Sequence, residues 1–527
     1  MILFIWLAAF AAAVYLYIRQ IYSRFSRYGV KHKPPVPLLG NMAPLVFKKK
    51  HLAQFFGELY SENPKERFVG RYEFSKATVI IKDLELLKKV GVKDFEHFLD
   101  HSLSANEVDP IFGRTLFALK GQEWKDMRSM MSPAFTSAKI RNMLPLIVEV
   151  ADQMVASLKK QLKESRHGHI DVDVRALATR CANDVIASCA FGLRVDSHSE
   201  PDNEFYKMGA VATNYTYKQR LIFFGYSAIP SIMKKFGINV LSDSTRGFFT
   251  HLVLDTMKER EQHGIVRPDM IHLLMEAKKG KLTHEDSGKD ADAGFATVEE
   301  SDVGKKSVHR DWTDADLTAQ AFIFFLAGFE TVSTVMSFLM YELALNPEIQ
   351  EKLAKEIREQ EKSGKFDYGA IQKMTYLDMV VSETLRRWPP AAMTDRLCIK
   401  DYNLGRPNDE ATTDYIIKAG ESLTIPITAF HHDPQYFPNP MKFDPERFSE
   451  ENKHKINPTT YMPFGVGPRN CIGSRFALCE VKVMIYQILL HVELSPCEKT
   501  TIPANLSKET VRLRLVGGDY LRMKLRK

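Results

Sequence analysis

The chain has 527 residues, 45% of them hydrophobic and 26% charged, with a formal net charge of +7. That balance excludes a disordered or fibrous chain and provides for a large buried core. The positive excess is mild and no basic run is interleaved with aromatics, which excludes nucleic acid as a partner and leaves an acidic protein or an anionic membrane surface. Six scattered cysteines make no disulfide scaffold, and without a CxxC pair a structural zinc site is not expected.

In chain order the first element is an apolar, uncharged stretch, Ile2 to Ile18, at the short end of what spans a bilayer as a helix. A cleaved signal peptide would want basic residues before it, whereas here Arg19, Arg24, Arg27, Lys31 and Lys33 follow. The reading is a signal-anchor over residues 1–20 with the body on the cytosolic side, where thiols stay reduced. Residues 21–41, basic and then rich in proline, read as a stiff spacer, and residues 42–527 as one domain.

The run Phe68 to Asp83 alternates β-branched and aromatic residues with polar ones and predicts a hairpin. Trp124 and Arg128, four apart, share a helix face; they could bind an anion together, or stack as a surface pair. From Leu84 to Leu385 the pattern is mostly helical. Lys278 to Asp311, charged and poor in large apolar residues, reads as a disordered loop without chemistry. Thr313 with Asp316 resembles a capping box and opens a helix of some thirty residues ending at Asn346-Pro347. Glu330, Thr331 and Ser333 within it argue against a second membrane span and for a helix through a soluble core. Glu330 and Thr331, beside Gly328, could deliver protons to a cofactor. Glu383 and Arg386 sit opposite an apolar helical stripe, where the wheel alone favours an exposed pair. Short strands are expected at Asp414 to Ala429 and in a terminal hairpin turning at Gly517-Gly518.

The stretch "PFGVGPRNCIGSRFALCE", residues 463–480, holds Cys471 between Arg469 and Gly473. A nucleophile would need a histidine base that sequence does not place, with His431 and His432 as candidates. A thiolate metal ligand would need electropositive surroundings, which Arg469 and a helix N-terminus supply. Cys479 reads as a core thiol.

Phe464, Gly467, Arg469, Cys471 and Gly473 at this spacing resemble the haem-binding loop of the cytochrome P450 family. The Trp124/Arg128 pair, the Ala327-Gly328-Phe329-Glu330-Thr331 segment, Glu383 with Arg386, and Arg447 in "FDPERF" occur in that family's order. The resemblance runs from about Pro34 to the C-terminus and implies a mainly α fold with small β-sheets, haem lying between a long central helix and the cysteine loop. It implies haem b with the Cys471 thiolate as the iron's axial ligand; Phe464, Gly465 and Gly473 forming the loop around it; and Arg469, Trp124, Arg128 and Arg396 binding the haem propionates. Thr331, helped by Glu330, would steer protons to dioxygen. Glu383, Arg386 and Arg447 would form a buried ion-pair triad, against the wheel reading.

The implied activity is insertion of one atom of O2 into a lipophilic substrate. With no flavin or nicotinamide motif in the chain, the electrons would come from NADPH through a partner reductase of the endoplasmic reticulum membrane, with cytochrome b5 as a second donor. Lys125, Arg128, Arg475 and Lys482 would line the docking face. The stretches "RPDMIHLLMEAKKGKL" and "FIFFLAGFETVS" are similar to the insect branch that oxidises plant toxins and insecticides. Phe112, Phe117, Phe223, Phe224, Phe322 and Phe325 are the expected pocket aromatics. The rival functions are a narrow hydroxylase of an endogenous hormone or lipid and a haem-thiolate isomerase or dehydratase.

Overall fold

The computed structural model describes residues 2–103, 109–213, 217–280, 294–305 and 312–526. Its first half carries helix α1 (Ile2–Ile21), strands β1 (Phe68–Glu73) and β2 (Lys76–Ile81), helices α2 (Gly121–Met131) and α3 (Ser137–Glu164), strand β3 (His169–Asp173), and helices α4 (Val174–Ile186) and α5 (Asp243–His263). Then come the central helix α6 (Asp314–Leu345), helix α7 (Thr375–Arg387), strands β4 (Thr394–Leu397) and β5 (Ser422–Ile425), helix α8 (Ser474–His491), and strands β6 (Val492–Ser495) and β7 (Tyr520–Leu525). This is the mainly α architecture with small sheets that the sequence implies.

The expected hairpin β1–β2 forms and continues as a sheet in the order β1–β2–β5–β4. The β2–β5 pair is parallel and β5–β4 antiparallel. The C-terminal hairpin does not form as expected. Strand β7 pairs instead with β3 and β6, and the stretch before Gly517 turns Arg512 and Arg514 toward Glu330 on α6. Residues 21–41, read from the sequence as a stiff spacer, lie packed on the body. Phe25 is fully buried, and a side chain at Gly70 of β1 would strike its ring at 2.5 Å. Arg24 pairs with Glu421, and Gly40 bridges to Glu73. The apolar aromatics of this basic stretch dock it onto the first sheet.

The Thr313 hydroxyl accepts from the Asp316 amide and the Asp316 carboxylate accepts from the Thr313 amide, the capping box read from the sequence. These contacts satisfy amides that a helix start otherwise leaves orphaned. Farther along, a Cβ on Gly328 would lie 2.4 Å from Ile186 Cδ1, so glycine is what lets α6 and α4 touch. Most of α6 is buried in the protein interior, as a core helix should be.

Helix α7 is tied to the region of the cysteine loop by hydrogen bonds without solvent. Arg386 and Glu383, both fully buried, share two contacts of 2.7 and 2.8 Å. Arg447 approaches the same carboxylate at 3.5 Å, so the triad is buried and the exposed wheel reading fails. Arg386 also donates to the backbone oxygens of His431 (2.8 Å) and Pro440 (2.7 Å). His431 Nε2 accepts from the Met462 amide at 2.9 Å, which leaves Nδ1 to carry the proton and donate to the Arg386 backbone oxygen at 3.0 Å.

Burial, the largest influence, pushes His431 down to about 3 and His432 and His198 each down to about 4. These rings are neutral in the fold, whereas the unfolded chain takes up their protons below a pH of about 6.5. Their contribution to stability is therefore complete above that pH and is lost as pH falls from there toward about 4, at about 1.4 kcal/mol per pH unit and group at the steepest. A pH series of denaturation midpoints should fall across this window, less steeply for His431→Gln; a flat profile would contradict neutral burial.

Candidate active site

The cysteine loop is shaped by its backbone. The Cys471 amide donates to the Phe464 oxygen at 2.8 Å and the Gly465 amide to the Met462 oxygen at 3.0 Å. Gly465 and Gly467 take φ of +83° and +68°, where a Cβ is disfavoured. At Gly467 a Cβ would also lie 1.7 Å from the Gly91 oxygen. Phe464 packs against the main core from the loop's first turn. Gly473 caps α8, and the only atoms near a Cβ placed there are on the Phe135 ring, at 3.6 Å and beyond. What glycine preserves at that position is open space in front of the loop.

That space is a narrow slot of about 110 Å³ between two walls. One is Phe324, Ala327, Gly328 and Thr331 of α6; the other is Cys471 and Gly473 with the first turn of α8. Ala327 and Thr331 are the accessible positions of a largely buried stretch of helix, one turn apart on the slot side. The Thr331 hydroxyl donates to the Ala327 oxygen at 2.6 Å. Cys471 is exposed at the surface of its loop, where it lines both the slot and a small neighbouring crevice, although neighbouring atoms crowd it on its other sides. Burial raises its thiol pKa, against the Gly473 amide and the Arg128 charge, which favour the thiolate. Cys479 is a buried core thiol, as expected.

Beside the loop lies a cluster of cations. Arg469 stands over the Trp124 ring at 4.1 Å and donates to the backbone oxygens of Leu99 and Leu119, each at 2.7 Å. Its carboxylate contact, Asp100, is at 3.4 Å. Arg396 donates to the oxygens of Asp395 (2.7 Å) and Val466 (2.9 Å). Burial lowers Arg469 to about 9 and Arg396 to about 10, so both guanidiniums are under-neutralised. The Trp124 indole N–H has no acceptor among the described residues. A slot with the Cys471 thiol on one wall, and two such guanidiniums and the Trp124 indole close to the loop, offer the kinds of group that a planar iron macrocycle carrying two carboxylates takes as partners.

Other sequence expectations need correction. The structure does not bring Glu330 into the slot. Its carboxylate turns the other way, into a cage of Arg175, Arg512 (2.8 Å) and Arg514 (3.8 Å). Arg128 lies beneath the loop rather than in the cation cluster, bonded to the Asn470 oxygen at 2.7 Å and to Glu300 at 2.9 and 3.1 Å. The expected docking face is likewise not a row of free cations. Lys482 is fully buried on Asp378 at 2.8 Å, and Lys125 is paired with Glu96 at 2.6 Å.

The partner of Arg128 comes from the segment expected to be a loop without chemistry. Its residues 281–293 and 306–311 lie outside the described residues, but 294–305 form a strap along the cysteine side. Phe295 packs edge-on against Phe448 at 5.0 Å and donates its amide to Asp378 at 2.9 Å. The Asn470 side chain donates to the Glu299 oxygen at 3.3 Å. No periodicity announces this strap; the only signal is one aromatic and an acidic pair in a polar run.

Beyond the slot, sharing Ala327 with it, opens a cavity of about 430 Å³. Phe112, Phe117 and Phe223 line it as expected. Phe322 and Phe325 do not; they are buried against Phe249 at 5.1 and 4.9 Å. Phe224 packs on Phe74 at 5.9 Å.

Comparison with known proteins agrees with this geometry. Residues 30–519 match the family described as Cytochrome P450. Cytochrome P450 9e2 of Blattella germanica is 43% identical over 98% of this chain and 97% of its own length. Probable cytochrome P450 9f2 of Drosophila melanogaster is 39% identical, over 98% of each. Cytochrome P450 6k1 of Blattella germanica is 37% identical over 97% of this chain and 95% of its own.

Because Glu300 is the carboxylate that neutralises a buried arginine, Glu300→Ala should lower unfolding free energy by about 1–3 kcal/mol. Glu299→Ala, whose exposed side chain has no partner among the described residues, should change it by less than about 0.5 kcal/mol. Urea titrations of the two variants beside the native protein check the contrast.

Proposed function

Since the chain belongs to the cytochrome P450 family of monooxygenases, we propose that it is a membrane-anchored haem-thiolate enzyme that oxidises lipophilic molecules, foremost xenobiotics such as plant toxins and insecticides. The observation that carries this is the Cys471 sulfur at the slot, with Thr331 on the opposite wall and an aromatic-lined cavity sharing Ala327.

Haem b held there through Cys471, with Arg469, Arg396 and Trp124 at its propionates and Phe464, Gly465 and Gly473 shaping the loop, supplies the dioxygen chemistry. The chain's own residues supply the surroundings. Thr331 holds a hydroxyl proton at the slot. Glu330, one residue earlier, turns away from the slot and is held by Arg175, Arg512 and half-exposed Arg514, so its effect on Thr331 passes through the helix they share. Arg128 acts from beneath the loop, adding positive charge that favours the thiolate. The apolar wall of the cavity orients hydrocarbon toward Ala327 and excludes water.

Electrons reach the cysteine side from NADPH through a separate flavoprotein reductase, with cytochrome b5 as a second donor. The accessible apolar side chains of α1, Phe4 and Trp6 among them, and the arginines after it support an anchor in the endoplasmic reticulum membrane with the body in the cytosol.

The carbon monoxide difference spectrum of the reduced protein in membranes tests the assignment. A strongly red-shifted Soret band should appear in the native protein and vanish in Cys471→Ala. A band typical of histidine ligation in otherwise intact protein would overturn it.

A further inference from the structure

The strap of residues 294–305 lies on the side of the cysteine loop at which electrons would enter. Its Val298 and Glu300 share with Cys471, Arg128 and Arg475 the lining of a crevice of about 40 Å³. A protein–protein contact covers roughly 600–800 Å² of each partner, far more than the loop alone. A donor seated over Cys471 therefore overlaps the strap.

The strap also sets the charge of that ground. Arg128 lies beneath it with 3% of its side chain exposed, and both of its contacts to a carboxylate are to Glu300. What the strap shows to solvent is acidic. Glu299 is exposed and the Asp302 side chain is 98% exposed, against one exposed cation, Lys305. Beside them half-buried Arg475 has no carboxylate within ion-pair distance, and its Nε has no acceptor, among the described residues. With the strap in place, an acidic partner, which the net charge of +7 favours, meets like charge here.

Little holds the strap down. Phe295 packs on Phe448 and Tyr461, at 5.0 and 5.3 Å, and the small side chains of Ala296 and Val303 are buried. The Phe295 amide donates to Asp378, and the Asn470 side chain donates to the Glu299 oxygen. Gly304 leaves no room for a Cβ between Glu300 and Ser132, so Glu300 sits closely fitted on Arg128. That ion pair is the strap's one charged tie to the loop, and a carboxylate from outside could make it equally well.

We propose that residues 294–305 are an autoinhibitory contact that keeps the electron donor off the cysteine side. The donor docks by displacing the strap, and one of its own acidic side chains takes the place of Glu300 on Arg128. The proposal rests on the monooxygenase reading above and adds a restraint on electron entry. Apparent donor affinity is reduced by the fraction of molecules in which the strap is away, so loosening the strap raises it.

Hydrogen–deuterium exchange of the haem-loaded full chain, alone and with the microsomal NADPH flavoprotein reductase, reads the strap directly. Peptides covering residues 294–305 should exchange faster in the complex, the Phe295 amide among them as it loses Asp378. Unchanged or slower exchange would overturn the proposal, slower exchange by making the strap part of the docking surface. Phe295→Ala removes an anchor without altering any charge, and its apparent KM for the reductase should fall about fivefold or more. Carbon monoxide spectra after dithionite reduction set the concentration of loaded protein for that comparison. A KM that stays the same or rises would also overturn the proposal. If Phe295→Ala fails to load haem, exchange in the native protein still decides. Reduction of the native haem at saturating reductase reports on the monooxygenase reading alone, so the strap can fail while that reading stands.

Discussion

The arrangement depends on one guanidinium placed where no water reaches. Arg386 is fully buried with Glu383, and the pair would be a liability if either group were left short of partners. It is not. Arg386 reaches the backbone of His431 and Pro440, while Glu383 takes the Asp444 amide at 2.9 Å. Helix α7 therefore organises a long irregular stretch of chain that has little regular structure of its own. From His431 one further bond fixes Met462, where the turn into the cysteine loop begins. The position of the Cys471 sulfur is thus set by a polar network two layers behind it, and the helical part of α7 alone would not achieve that.

Other buried cations are handled differently, and the differences divide the roles. Glu330 sits among three arginines, a cage with excess positive charge that extends to the surface. Arg128 has its carboxylate brought to it by the strap. Arg469 and Arg396 rest mostly on backbone oxygens, which solvate a cation without neutralising it. Beside the cysteine loop, Arg469 and Arg396 thus keep charge for an outside anion while Arg128 does not, which is why they, and not Arg128, carry the argument for haem propionates.

Much of this was legible in the sequence. The capping box at Thr313, the hairpin at Phe68–Ile81 and the cysteine loop depend on a few neighbouring residues whose chemistry dictates local geometry. The Glu383/Arg386 pair was misjudged by the helical wheel, because its far side is covered by the irregular stretch around Pro440 and Asp444, which has no periodic signature. The same reason hid the strap: its hold on the body is one phenylalanine, two small apolar side chains, one carboxylate and backbone contacts. The terminal hairpin failed because β7 finds two strands distant in sequence, β3 and β6, and local turn signals say nothing about such partners. A polar wall of the cavity was present as Arg71, Lys76, Thr78, Ser422 and Thr424, but only the parallel register of β2 with β5 shows that these residues share a face.

Helix α6 joins these features within two turns. Ile323, Leu326 and Ala327 face the cavity, and Ala327, Gly328 and Thr331 face the slot. Gly328 meets α4 as closely as backbone allows, Phe325 and Phe329 enter the aromatic cluster, and Glu330 leaves on the side of the arginine cage. A period of 3.6 residues sends successive side chains about 100° apart, so neighbours in sequence necessarily serve different surroundings. The adjacency of Glu330 and Thr331 in the motif therefore does not mean that both side chains reach the same place. Thr331 is the group at the slot; Glu330 can influence it only through the short piece of helix they share, and the arginines that hold Glu330 set how readily it does so.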